Sequence, residues 1–470
     1  MQSFSEKDTI CAIATPPGLG GLGVVRISGP RSREILSKLW RGQVSVSKFR
    51  PRTLYLGDIT VFSNSRPKGN GPDEGFLDRA MAVFMPAPNT YTGEDIVELS
   101  CHGSPLLLSE IINSAAEAGA RPAGPGEFTR RAFMAGKIDL VQAEGVADLI
   151  AATGERAARL AAEQLAGKLS ETISSLGREL ASIRAEVEAA IDFPEEEIDL
   201  PGADSTSARL EGVCANLDLL RSTFREGRLA REGVRVAIAG KPNAGKSSVM
   251  NRLCNRERAI VHSSPGTTRD VIEEAATIGG ICFHLRDTAG LRAEAGEVEA
   301  LGIARTHDEI ASADIIVAVF DGSISPDDSD ASVISRIDPA RTIAVINKSD
   351  LPMVFDPKDL FGARAPSPPL SISAKSGAGF DELARELCRR TSSKAAALDG
   401  VVVTNARHKA LLDEAGLSLD AALASFGRGE PAELSAQHLA SAQEALGRIT
   451  GAVTTEELLD RIFSSFCIGK

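Results

Sequence analysis

Aromatic side chains are scarce in this chain of 470 residues, which holds 17 Phe, two Tyr and one Trp. An extended platform on which single-stranded bases stack one after another is excluded by that shortage. Positive charge is also in deficit, with 52 Lys plus Arg against 64 Asp plus Glu and a formal net charge of −12. Such a balance argues against general attraction to nucleic acid or an anionic membrane, although a local basic patch is compatible with it. Long apolar runs are missing as well. Runs such as Ile315–Phe320 fall well short of the roughly 20 residues that span a bilayer, so no membrane association is expected. Met1 to Ile10 carry Glu6, Lys7 and Asp8 ahead of any apolar stretch, which does not read as a secretory signal. The seven cysteines are odd in number and show no CxxC or His/Cys ligand spacing. Reduced thiols in a cytoplasmic protein follow from that usage.

What is present is enough chain for about three folded units at roughly 150 residues each. A hydrophobic content of 43% excludes wholesale disorder. From Thr9 to about Lys137, short β-branched runs (Val24 to Ile27, Ala82 to Phe84) alternate with Gly/Pro breaks in an α+β texture, and Ser63–Gly75 reads as an exposed loop. From about Val141 to Phe193 the text turns to Ala, Leu, Glu and Arg. Ala161, Leu165, Leu169, Ile173, Leu176 and Leu180 form one stripe, which predicts one or two long helices. That run stops at Phe193-Pro194 and the acidic Glu195–Glu197, and Ala208–Arg228 continues in helical spacing. Between Gly233 and Arg390, apolar β-rich runs (Val234–Ala239, Ile281–Arg286, Ile315–Phe320, Thr342–Ile346, Leu370–Ile372) alternate with helical segments. Near-continuous apolar strands of that kind imply a mostly parallel sheet covered on both faces. Ala406–Lys470 returns to helix texture. The fold class is thus multidomain α/β: an N-terminal α+β domain, a helical-bundle domain, and an inserted α/β domain with a mostly parallel sheet.

Gly240-Lys241-Pro242-Asn243-Ala244-Gly245-Lys246-Ser247 fits G-x-x-x-x-G-K-[ST] between a predicted strand and a helix, with Ser248 next in line. Glycines there let backbone N–H groups surround phosphate oxygens at a helix N-terminus. Lys246 is placed to reach the β- and γ-phosphates, and the Ser247 hydroxyl to bind Mg²⁺. Asp287-Thr288-Ala289-Gly290 ends a strand with a carboxylate for the metal region and a Gly where a γ-phosphate is sensed. Thr268, in Gly266-Thr267-Thr268-Arg269-Asp270, suits a second Mg²⁺ ligand. Asn347-Lys348-Ser349-Asp350 ends another strand. Asp350 can accept both the ring and the exocyclic N–H of guanine, which adenine lacks, and Asn347 can bond the purine's other edge. Ser373-Ala374-Lys375 follows the last strand, where a backbone N–H can meet the guanine carbonyl. In this order at the ends of successive strands, the motifs specify a Ras-like P-loop GTPase domain. Leu291 stands where Ras-like enzymes carry the water-orienting Gln. Glu294, Glu297 and Glu299 follow in the same loop, no Arg is placed as a finger, and a bound monovalent cation could supply the missing charge.

With these motifs, the whole chain resembles the MnmE/TrmE family of tRNA-modification GTPases, which is Era-like and of the TRAFAC class. The resemblance extends to Ala14–Gly18 with Gly23–Gly29, to Tyr91-Thr92-Gly93-Glu94-Asp95, and to Arg121 through Leu140. It also takes in Ile191–Pro194 and Arg461–Lys470, ending Cys-Ile-Gly-Lys. It implies a tetrahydrofolate-binding and dimerisation domain over 1–137, a helical domain from 138–228 and 393–470, and an inserted G domain over 229–392. It implies a homodimer that joins an FAD-containing MnmG/GidA flavoprotein in a heterotetramer. That complex adds an aminomethyl or carboxymethylaminomethyl group to C5 of the tRNA wobble uridine, from a tetrahydrofolate one-carbon donor. GTP hydrolysis would depend on K⁺, held by the Asn243 side chain, the His262 and Ser264 carbonyls and Thr267, in the loop His262-Ser263-Ser264-Pro265. Glu299 matches the glutamate that positions the attacking water. Arg26, Glu98, Lys137 and Lys470 match the folate site, Glu98 for the pteridine edge and the cations for the glutamate tail. Cys467 reads either as an inert terminal thiol or as a thiol near the folate carbon. Arg41, Lys48, Arg50 and Arg52 read as a solvated face or as contacts to tRNA phosphate. A rival reading, an Era-like RNA-binding switch in ribosome assembly, calls for a basic RNA-binding module that this acidic chain does not show. A third is a purely structural dimer whose G domain regulates partner binding.

Overall fold

The computed structural model describes residues 8–60, 76–192, 203–256, 273–287, 309–361, 368–391 and 400–470. The expected loop Ser63–Gly75 and the acidic turn at Glu195–Glu197 lie outside them. The chain divides into two compact units, one of Met1–Ala147 with Thr450–Lys470 and one of Asp148–Ile449.

The first unit is built on strands β1 (Ile10–Ile13), β2 (Gly20–Ser28), β3 (Trp40–Arg41), β4 (Tyr55–Thr60), β5 (Phe76–Met85), β6 (Ile96–Gly103) and β7 (Arg121–Pro122). They form one sheet in the order β3-β4-β5-β6-β2-β1-β7. Only the β1–β7 pairing is parallel. Side chains alternate across a strand, so Val25 and Ile27 enter the core with Val97 and Leu99, while Arg26 and Glu98 share the other face directly opposite one another. Helices Ser32–Leu39 and Pro105–Glu117 supply Ile35, Leu36, Leu39 and Ile111 to the same core.

The helical texture after Ala406 resolves into Ala406–Arg428, Ala432–Thr450 and Glu456–Phe463. The last of these belongs to the first unit. Leu459, Phe463 and Phe466 pack with Leu140, Ala143 and Phe133. Arg130, in the helix Glu127–Met134, bonds Glu456 at 2.5 Å and Asp460 at 2.7 Å. Beyond that helix, Ile468 bridges Pro125, and Gly469 passes so close to β1 that an added Cβ would lie 2.2 Å from the Ile13 carbonyl oxygen.

The second unit carries β8 (Val234–Ala239), β9 (Glu273–Ile278), β10 (Ile281–Asp287), β11 (Ile315–Asp321), β12 (Thr342–Asn347) and β13 (Leu370–Ser371) in the order β13-β12-β11-β8-β10-β9. All neighbours run parallel except β9 against β10. The five apolar runs read from the sequence match strands to within a residue at each end. Strand β9, EEAATI, carries no such apolar run and was not anticipated.

The stretch expected as one or two long helices is three, Leu140–Ala151, Glu155–Leu165 and Lys168–Asp192, because the apolar stripe continues across interruptions at Gly154 and Ala166-Gly167. Likewise Ala208–Arg228 falls in two helices, Ala203–Ser222 and Phe224–Glu232. Thr223 separates them, its buried hydroxyl donating to the Leu220 carbonyl and accepting from the Val403 N–H. Helices from both sides of the α/β stretch meet: Ala203–Ser222 packs along Ala406–Arg428, with Arg221 on Asp413 at 2.7 Å.

Candidate functional site

The carboxyl ends of β8, β10, β12 and β13 bring together the residues read as a phosphate and base site. From buried β8 the chain passes through Gly240–Gly245 into the helix Lys246–Arg256, the strand–loop–helix order that aims backbone N–H groups at an anion. Asn243 and Gly245 both take positive φ, 66° and 95°. A Cβ on Gly245 would lie 2.2 Å from Asn347 Nδ2, so no other side chain fits that position. Lys246 Nζ is buried and donates to the carbonyls of Gly240 (2.8 Å) and Lys241 (3.0 Å). Burial draws its pKa below the usual lysine value, with Asp287 pulling the other way. Ser247 Oγ donates to Asp287 Oδ2 at 2.7 Å. A hydroxyl and a carboxylate thus meet beside the phosphate loop, a pair of oxygen donors that fits a hard cation such as Mg²⁺.

At the base end, Asn347 Nδ2 donates to the Ala244 carbonyl at 2.9 Å and Oδ1 accepts from the Ala374 N–H at 3.0 Å. The amide, expected to face the purine, therefore also clips three loops together. Asp350 accepts from Ser373 Oγ at 2.6 Å, and that bond holds its exposed carboxyl below the usual range. The carboxylate is accordingly ionised near neutral pH, as two guanine donors require. Lys348 adopts φ 65° and pairs with buried Asp321.

Asn243 to Ser248, Asp287, Asn347, Lys348, Asp350 and Ser373 to Lys375 are therefore gathered on one side of one sheet. His262, Ser263, Ser264, Pro265, Gly266, Thr267, Thr268, Thr288, Ala289, Gly290 and Glu299 lie outside the described residues. Two side chains escaped sequence reasoning. Lys241 Nζ bonds Asp330 at 2.6 Å and Asp327 at 3.0 Å, tying the phosphate loop to a capping box whose D-x-x-D spacing was visible but whose partner was not. Arg252, on the helix after the phosphate loop, donates to the carbonyls of Ala374, Lys375 and Ser376 at 3.1, 3.1 and 2.9 Å.

The first unit gathers the other candidates. Arg26 bonds Glu98 Oε1 at 2.8 Å through both Nε and Nη2, and lies 5.7 Å above the Phe128 ring. Tyr91 bonds Thr129 at 2.9 Å, burial raising the phenol's pKa against the charge of Arg26. Lys137 runs beside Gly93, its Cε 3.4 Å from where a Cβ would stand. Lys470 follows Gly469 on β1, the strand in which Ala12 faces Arg26. Cys467 is exposed. Glu94 and Arg131, from the two motif stretches, join Asp8, Arg121 and Glu127 in an ion network that holds the chain rather than a ligand. Arg41, Lys48, Arg50 and Arg52 are all exposed. Among the described residues no helix is long and apolar enough to cross a membrane.

Comparison with known proteins places this geometry in context. Residues 9–137 match the family described as GTP-binding protein TrmE N-terminus, and residues 140–467 match the MnmE helical domain. A protein of Syntrophus aciditrophicus named tRNA modification GTPase MnmE is 41% identical over 466 residues, 99% of this chain and 100% of its own. The protein of the same name from Moorella thermoacetica is 42% identical over 473 residues, covering 98% and 99%. That of Geobacter sulfurreducens is 41% identical over 467 residues, covering 99% of each.

Proposed function

The chain belongs to the MnmE family of tRNA modification GTPases and is a GTP hydrolase, and from that premise we propose how it works and with what. The observation that carries the reading is the joining of four loops by side-chain bonds, Ser247 to Asp287, Asn347 to Ala244 and Ala374, and Asp350 to Ser373. Asp350 pairs with the two donors of guanine. Lys246 leaves its two carbonyls part-way to meet the β- and γ-phosphates. Ser247, with Thr268, holds Mg²⁺, and Asn243, His262, Ser264 and Thr267 hold K⁺. Held by these residues, the two cations would supply positive charge next to the phosphate oxygens. Glu299 orients the attacking water in place of the glutamine that Leu291 replaces. The nucleotide is further touched by Gly245, Ala244, Ser248, Ser263, Pro265, Gly266, Thr288, Ala289, Gly290, Lys348, Ser373, Ala374 and Lys375.

In the first unit Glu98 pairs with the amino-pyrimidine edge of a tetrahydrofolate one-carbon donor, and Lys137, Lys470 and Arg26 receive its carboxylates. The adjoining Arg26–Glu98 pair supports this: a ligand that offers both a donor edge and an anion satisfies each partner when it parts them. The protein acts in the cytoplasm as a homodimer through residues 1–137, with the G domain over 229–392 inserted between helical parts at 138–228 and 393–470. With an FAD-bearing MnmG/GidA flavoprotein it adds an aminomethyl or carboxymethylaminomethyl group to C5 of the wobble uridine in tRNA. The test is the nucleoside profile of tRNA from cells that lack the chain. Unmodified wobble uridine with normal ribosomal subunits is expected; normal tRNA would sink the reading.

A further inference from the structure

Arg252 lies six residues beyond Lys246 on one helix, about 9 Å along its axis. Its guanidinium donates to three successive carbonyls, those of Ala374, Lys375 and Ser376. It also lies 5.9 Å from the centre of the buried Phe380 ring. Gly377 turns with φ 90°, and a Cβ there would fall 2.3 Å from Arg252 Nη2, so the turn is bare where the guanidinium enters.

In a trans peptide the carbonyl and the following N–H point in opposite directions. With the three carbonyls drawn toward Arg252, the N–H groups of Lys375, Ser376 and Gly377 face away from it. Two of these show which way that is. The Ser376 N–H donates to Ser373 Oγ at 3.1 Å and the Gly377 N–H to the Ser373 carbonyl at 2.8 Å. Ser373 Oγ in turn bonds Asp350. The side turned from Arg252 is therefore the side of the guanine-reading carboxylate.

We infer that Arg252 is the positioning residue for guanine recognition: it turns the 373–376 loop so that the Lys375 N–H, the one of the three not donated to Ser373, faces the 6-oxo group of the base. Because it rides on the helix whose first turn holds Lys246 and Ser247, it also ties that loop to the phosphate site. The inference rests on Asp350 reading guanine, and the experiment separates the two.

Affinities for GDP, ADP and 2-aminopurine riboside diphosphate, which keeps the 2-amino group and lacks the 6-oxo group together with the ring N1–H, are measured by calorimetry for the wild type, Arg252→Met and Arg252→Lys. The wild type binds GDP far more tightly than the other two. Arg252→Met weakens GDP at least tenfold while the 2-aminopurine nucleotide changes less than threefold. Arg252→Lys, which keeps a charge but offers a point donor in place of a fork, falls between. Equal losses for GDP and the 2-aminopurine nucleotide would mean general damage to the helix, and an unchanged GDP affinity would mean no role at all. Either overturns the inference. A wild type that does not prefer GDP to ADP would instead remove the guanine reading beneath it.

Discussion

Asp350 reaches the base site as an exposed carboxylate fixed by one hydroxyl, Ser373 Oγ. Replacement by Asn keeps the shape but exchanges an acceptor for a donor on the guanine side. Asp350→Asn is expected to lower kcat/KM for GTP on the order of 10⁴-fold, since the site would then face a donor with a donor. XTP, whose 2-oxo group accepts, should become the better substrate. Competition kinetics with both nucleotides decide it, and retained GTP preference counts against the assignment. At this scale the motifs were legible because each puts a chemically distinct side chain at a fixed offset from a strand end. Asn347 was read only in half. Its type predicted a contact to the purine, but its bonds to Ala244 and Ala374 depend on loops 103 and 27 positions away. Arg252 was not legible, because an Arg on a helix carries no signal of the carbonyls it will meet.

Among elements, the apolar strands of the second unit were read closely because burial on both faces leaves a plain mark: every residue of β11 is buried. Strand β9 is a polar edge and leaves none. The helix Glu456–Phe463 was seen as a helix, but its partner was not, since an amphipathic stripe reports that a face is buried and not against what. Phe463 sits there at 2% exposure beside Phe133 and Phe466. Phe463→Ala should cost the first unit about 3 to 5 kcal/mol in chemical denaturation, and a cost under 1 would mean that the helix is not seated.

Glu127 contributes to the acid response of the same unit. Burial raises its pKa, but bonds from Arg121, the Gly124 N–H and Arg131 outweigh it, and the net shift is downward from 4.5. In the window between the folded and unfolded values, the unfolded chain binds the proton that the folded one refuses. The contribution of Glu127 to stability is therefore full above about pH 4.5 and lost as pH falls through the folded value. Glu127→Gln should flatten that acid limb in urea titrations run from pH 7 to 3. An unchanged slope would assign it to other carboxylates.

Across the whole molecule, the described residues of the nucleotide site all belong to Asp148–Ile449. A chain ending at Ile449 should keep GDP binding within about threefold while the first unit melts at lower temperature. Loss of GDP binding would show that the first unit supports the site. The full chain should also hydrolyse GTP far more slowly in Na⁺ than in K⁺, because a smaller ion cannot span the oxygens proposed around Asn243. Equal rates would remove the cation from the mechanism.

Residues 148–449 separate the two segments of the first unit by about 300 positions. At roughly 5 to 20 residues per second, a ribosome needs about 15 to 60 s to cross that interval. During that delay the N-terminal segment presents Phe133, Leu140 and Ala143 to solvent without Phe463 and Phe466 to cover them. Birth of the protein thus includes a pause in which a half-built unit must be kept from its neighbours, and chaperone demand should rise with slower translation of the middle of the message.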